Sequence, residues 1–197
     1  FFSADIEKAF NSMKRADIWA AVRELNCPLL TSWFCFFFHT PPTVFFSSDP
    51  KSPFNLSNTV QYTLWEGVAQ GDPCSSLLFV ITLSFILRDF KARYPLLVLT
   101  TVIDDTSMIF PDTLSSSLPE IAADFVDTLL QHNLHVNTDK TVVYKNGDFD
   151  FDTSDLPYSL SHERFVVCRR SVGSRSAVSD DAFAIIEDIK KTKKDII

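Results

Sequence analysis

Residues 96–110 read LLVLTTVIDDTSMIF: an apolar, β-branched run, two aspartates, then a second short apolar run. β-Branched side chains crowd a helix but pack well on a pleated surface, so both runs predict strands. The segments 96–103 and 106–110 then make a hairpin with Asp104 and Asp105 at its turn. Two strands alone are marginal in water, so this hairpin needs further strands or a helix to cover it. The start of the chain offers one. Residues 1–6 are short and apolar, read as a buried strand, and contain Asp5 at their end.

Working outward, Ile18, Trp19, Val22 and Leu25 recur at helical spacing within 15–25. A second helix is predicted over 29–38, where Pro41 and Pro42 stop it. Residues 43–47 and 58–64 have strand composition and flank a turn region at 47–53 rich in Ser, Pro and Asp. Gly67 and Gly71 fall in one short stretch, and Pro73 is well placed to open a helix over 75–94. That helix is apolar on nearly every side in its first half, which predicts deep burial. An amphipathic helix over 118–131, a strand at 141–144 and a polar loop at 146–157 follow. A strand at 164–168 and a terminal helix at 180–191 close the chain. Strands and helices in this order predict an α+β fold with a mostly antiparallel sheet.

The 197 residues are 46% hydrophobic and 13% aromatic, which excludes a disordered polar chain. Four cysteines, Cys27, Cys35, Cys74 and Cys168, show no C-x-x-C pairing. A zinc site is therefore not expected, and four cysteines in 197 residues are too sparse for a disulfide scaffold; mostly buried, reduced thiols of an intracellular protein, nuclear or cytoplasmic, are expected. The net charge is −7, against the basic footprint of a whole-domain nucleic-acid binder. It does not argue against a local carboxylate site. The longest nearly apolar run, 77–87, is too short to span a bilayer, so no membrane partner is expected. The chain begins at Phe1 rather than Met, on a strand, with no signal segment, and reads as a fragment.

Adjacent strands would bring Asp5, Asp104 and Asp105 to one edge of a sheet. Two like charges 4 Å apart repel by roughly 4 kcal/mol at an effective dielectric of 20, so such a cluster needs cations or protons. Mg²⁺, with its preference for oxygen ligands and phosphates, is the natural partner. Singly, each signal has a plainer reading. An Asp after a strand is commonly a cap or turn former, and Asp-Asp in a tight turn is commonly just a turn.

Together and in order, four segments resemble something specific. DIEKAFNS at 5–12, EGVAQGDPCSSLLF at 66–79, VIDDTSMIF at 102–110 and LHVNTDKT at 134–141 are similar to successive palm motifs of a reverse transcriptase. The likeness is to the non-LTR (LINE-like) retrotransposon type and runs to about Ser174. It implies a polymerase palm: an antiparallel sheet with helices mainly on one face, a ferredoxin- or RRM-like core. Residues 1–145 would be the palm proper, and 146–197 its end with the primer-grip region and terminal helix. The implied activity is RNA-directed DNA synthesis, with an RNA template, a DNA primer and dNTPs as partners.

By the same resemblance Asp5 is a metal ligand with the Ile6 carbonyl beside it, Asp104 bridges two Mg²⁺ ions (Mn²⁺ able to replace them), and Asp105 completes the catalytic pair. Phe10 is the aromatic gate that rejects a 2′-hydroxyl; alone it would read as core. Gln70 and Gly71 lie against template and nucleotide, where a glycine lets backbone approach closely, although Gln70–Pro73 also reads as a turn into a helix. Lys140 matches the lysine that protonates the leaving pyrophosphate; alone it is a surface lysine.

Four positions depart from the family pattern. Val102 and Ile103 stand where an aromatic and a small residue usually precede the aspartate pair, and Cys168-Arg169 stands where Leu-Gly is usual. The basic residues Arg169, Arg170 and Arg175, with the cluster at Lys190, Lys191, Lys193 and Lys194, could touch a nucleic-acid backbone or simply be solvated. Fingers and most of any thumb are expected outside the chain, so polymerisation by the chain alone is not expected. Two alternatives stand beside the polymerase palm: a folded, inactive relative of it, and an acidic α+β interaction domain.

Overall fold

Phe2 and Ala4 share a buried face with Thr106 and Met108 of the neighbouring strand in the computed structural model, and that face fixes the sheet. The structure describes residues 1–38, 40–41, 43–47, 59–69, 72–144, 156–161, 164–167 and 170–173. The chain divides into two compact units, Phe1–Glu7 with Asp89–Leu129 and His135–Ile197, and Lys8–Arg88 with Leu130–Leu134.

The first unit is built on a five-stranded sheet. Its strands are β1 (Phe2–Ala4), β5 (Val98–Val102), β6 (Asp105–Ile109), β8 (Val142–Tyr144) and β9 (Ser159–Ser161), in the order β5-β6-β1-β8-β9. All neighbours run antiparallel except β8 and β9, which are parallel. The chain leaves this sheet after Ala4: β2 (Ile6–Glu7) pairs instead with β7 (His135–Val136). Helix α5 (Leu118–Gln131) follows a 3₁₀ turn at Asp112–Ser117. Its Leu118, Ile121, Ala122, Phe125 and Leu129 are buried at helical spacing, as the amphipathic pattern predicts. Phe125 packs edge-on to Phe2, at 6.1 Å between ring centroids, and to Phe90, at 5.4 Å. Tyr158 closes on Phe2 from 5.2 Å. Full burial of such side chains stabilises by about 1.5–3 kcal/mol each, so this aromatic cluster anchors α5 to the sheet. A separate hairpin joins β10 (Arg164–Val167) to β11 (Arg170–Gly173).

The second unit contains α1 (Ala9–Ser12), α2 (Arg15–Glu24), α3 (Pro28–Phe38), the hairpin of β3 (Thr43–Ser47) and β4 (Thr59–Thr63), and α4 (Pro73–Arg93) up to Arg88. Helix α2 buries Ile18, Ala21 and Val22 on one stripe. Asn26 then takes a left-handed conformation, φ 50°, which ends the helix before Pro28 opens α3. Asp72 starts α4: its carboxylate accepts hydrogen bonds from the Cys74 N–H at 3.1 Å and the Ser75 hydroxyl at 3.0 Å. Pro73, which has no N–H to satisfy, follows at the first helical position.

Four expectations are corrected here. Helix α4 is not buried all round: Ser75, Leu78, Phe79, Thr82, Leu83, Ile86, Leu87 and Phe90 form one buried stripe, while Leu77 and Val80 are exposed. Leu77 and Val80 lie outside that stripe. The cysteines described are free, but Cys27 and Cys74 are half-buried and Cys35 is exposed, the last because α3 buries only Phe34. The strands expected to end at Asp5 and Asp104 are not direct neighbours; β6 lies between β1 and β5. The hairpin turn is also displaced by one residue. Ile103 and Asp104 form the loop, and Asp105 already begins β6 opposite Val102. Residues 48–58, 145–155, Cys168-Arg169 and the terminal helix expected at 180–191 lie outside the described residues, and so does the lysine cluster.

Candidate active site

The β1–β6 register pairs Phe2 with Met108, Ser3 with Ser107 and Ala4 with Thr106. The paired residues end at Ala4 and Thr106, with Asp5 next after Ala4 and Asp105 next before Thr106. Two of the three carboxylates therefore adjoin the last pair at one sheet end, with Asp104 in the adjoining loop. Asp104 and Asp105 are exposed there. The loop is unusual. Ile103 has φ 59° at the first of its two central positions, a conformation that normally selects glycine in a two-residue hairpin. A β-branched residue held there is strained.

Asp5 sits where the chain changes sheets, and the opposite segment explains its position. Ser3 pairs with Val142, but Ile6 pairs with Val136. Two residues on one side, Ala4 and Asp5, therefore face five on the other, Asn137 to Thr141, and those five bulge around Asp5. The Asn137 N–H donates to the Asp5 carbonyl at 2.8 Å. The Asp5 N–H donates to Thr141 Oγ1 over a long 3.4 Å. Lys140 Nζ stands 3.7 Å from Asp5 Oδ2. Sequence reasoning singled out Lys140 but missed Asn137 and Thr141, because the bulge is a mismatch between two distant pairings and leaves no local pattern.

The remaining candidates are placed as follows. Ile6 is buried, with its backbone in the β2–β7 pair. Phe10, in the second unit, is half-buried on α1 and stacks on Phe79 at 4.8 Å and 18°. Its carbonyl accepts the Val68 N–H at 2.8 Å. Gly67 was read only as part of a glycine-bearing turn, yet it is essential to this contact. It has φ 67°, and a Cβ built on it would lie 2.3 Å from the Phe10 carbonyl oxygen. Arg15 holds the same loop by donating from Nε to the Gly67 carbonyl at 3.2 Å. Its guanidinium lies 5.2 Å from the Phe38 ring centroid. Burial lowers the Arg15 pKa while Glu66 counters the effect, and an Arg remains charged throughout. Gln70 and Gly71 lie outside the described residues.

As metal donors, carboxylate oxygens fit a hard divalent ion in kind. Among the described residues no three His, Cys, Asp or Glu side chains converge as a closed site would require. Mg²⁺ is ordinarily held by one or two carboxylates, with water and substrate phosphates completing its shell, so a pair of these aspartates is sufficient in number.

Residues 1–161 match the reverse transcriptase (RNA-dependent DNA polymerase) family, and the chain belongs to it. The fold is similar to that of telomerase from Candida albicans, solved in complex with the TWJ fragment of telomeric RNA. The TM-score is 0.51 at 13% identity, over 88% of this chain and 29% of that one. The chain thus spans under a third of that relative's length. No curated protein sequence matches it. Among the described residues no helix is long and apolar enough to cross a membrane.

Proposed function

We propose that this chain is the palm of an RNA-directed DNA polymerase of the non-LTR retrotransposon type, which extends a DNA primer on an RNA template with dNTPs. The observation that carries this reading is the β1–β6 pairing, whose last pair, Ala4 and Thr106, adjoins Asp5 on one strand and Asp105 on the other, with Asp104 in the loop that follows β5. Asp5 and Asp104, with the Ile6 carbonyl and Asp105, would hold two Mg²⁺ ions, Mn²⁺ serving in their place. When bound, such ions activate the primer hydroxyl and stabilise the leaving oxygen. The chain's own residues do the rest. Lys140 stands beside Asp5, where its ammonium can pass a proton to the departing pyrophosphate. Phe10 stands as the gate against a 2′-hydroxyl, and Gln70 and Gly71 contact template and nucleotide.

The test is primer extension on an RNA template, with dNTPs and Mg²⁺, by a polypeptide that contains this chain. Incorporation that is lost in Asp104→Asn supports the reading; incorporation unaffected by that substitution overturns it. A second reading, a folded but catalytically silent relative, is favoured by the strained Ile103 in the loop that carries Asp104. Metal binding without extension would select it.

A further inference from the structure

Asp5 is held at all three of its polar groups by one five-residue segment: its carbonyl by Asn137, its N–H by Thr141 and its carboxylate by Lys140. The segment is itself organised by the Asn137 side chain. Asn137 Oδ1 accepts from the Asp139 N–H at 3.1 Å and the Lys140 N–H at 3.3 Å. The Asn137 carbonyl accepts the Thr141 N–H at 2.9 Å and the Thr141 hydroxyl at 2.7 Å. Asparagine favours such turns because its short amide can replace a backbone acceptor. Lys140 is otherwise poorly restrained: its side chain is 68% exposed, and a long exposed lysine does not hold one geometry unaided.

We propose that Asn137 is a positioning residue for the site, which holds Lys140 against Asp5 as a resident counter-ion until a divalent cation displaces it. The proposal rests on the reading of Asp5 as a metal ligand. It adds a residue and a step to that reading: the ammonium must leave Asp5 Oδ2 for the metal to take that oxygen. Lys140 is thereby freed for its own role only once the metal is in place. Asn137 acts through Lys140 and touches no substrate.

The test is a double-mutant cycle read as Mn²⁺ affinity, by electron paramagnetic resonance of the free ion, on the chain without nucleic acid. Lys140→Met removes the competing cation and should tighten Mn²⁺ roughly two- to five-fold, the range of an exposed ion pair. In an Asn137→Ala background the same Lys140→Met change should have no effect. Asn137→Gln, whose acceptor lies one methylene too far out, should behave as alanine does and serves if the alanine variant folds poorly. Asn137→Asp keeps the acceptor and should restore the Lys140→Met effect. Amide exchange at Asp139 and Lys140 should quicken in the alanine and glutamine variants and not in the aspartate. Equal tightening by Lys140→Met with and without Asn137, or none in the wild type, overturns the proposal while Asp5→Asn still abolishes binding. Mn²⁺ affinity unchanged in Asp5→Asn overturns the metal reading, and this proposal with it.

Discussion

Lys140 Nζ lies 3.7 Å from Asp5 Oδ2, although strand β2, helix α5 and the whole second unit separate the two residues in sequence. The register mismatch between the β1–β8 and β2–β7 pairings brings them together, by making five residues arch over two. The contact therefore depends on backbone pairing on both sides of Asp5. A lysine set against Asp5 offsets part of the negative charge at this end of the sheet.

Ile103→Gly should stabilise the protein. Ile103 has φ 59° at a position where glycine carries no steric penalty. A left-handed L-residue costs about 1–2 kcal/mol, and glycine's greater unfolded entropy returns about half of that. A gain of about 0.5–1 kcal/mol is expected, measured as a rise in urea midpoint with an unchanged slope. An unchanged or lower midpoint would mean that Ile103 makes contacts worth more than its strain.

Gly67→Ala should act in the opposite direction. The new Cβ would meet the Phe10 carbonyl oxygen at 2.3 Å and Asn11 backbone at 2.5 Å, in a residue whose φ is already 67°. Backbone cannot yield as a flexible side chain can, so a loss of about 2–3 kcal/mol is expected in denaturant unfolding. A loss below 0.5 kcal/mol would show that the loop moves away at little cost.

Phe10→Ala bears on sugar selection. In a polypeptide active in primer extension, loss of the ring should admit ribonucleotides, because the 2′-hydroxyl is the group that distinguishes them. Incorporation ratios of dNTP to NTP measure this. Equal discrimination by both forms would make Phe10 a core residue of its stack with Phe79.

Tyr158 sets an alkaline limit. Burial, and then the Asp127 charge, raise its pKa above the ordinary value of 10.0. The folded state thus holds this proton more tightly than the unfolded state. Its contribution is fully present below about pH 10 and is lost as pH rises through the folded pKa. Tyr158→Phe should flatten the fall in stability above pH 10. Tyr94, also raised by burial and by Asp124, acts in the same direction. An identical pH profile in the variant would remove Tyr158 as its source.

Much of the fold was legible where the pattern was long. Helix α5 occupies 118–131 as its periodicity predicts, and the β5–β6 hairpin follows from two apolar runs and a two-residue break. The exact turn was not, since Asp-Asp is the stronger local turn signal and only pairing across the hairpin puts Ile103 in the loop. Strands β2, β7 and β9, two or three residues each, are too short to show alternation. At the candidate site, motif order made Lys140 legible beside Asp5, and Asp104 and Asp105 legible at the β5–β6 turn. Asn137 and Thr141 were not, because their importance lies in a register that exists only once both ladders form.

The most direct measurement is calorimetric titration of the chain with Mg²⁺ in the millimolar range, beside Asp5→Ala and Asp104→Ala. The account predicts binding by the wild type and its loss in both variants, with folding intact by circular dichroism. Binding of equal affinity in all three proteins would contradict it, and would leave the acidic end of this sheet without the metal it is proposed to hold.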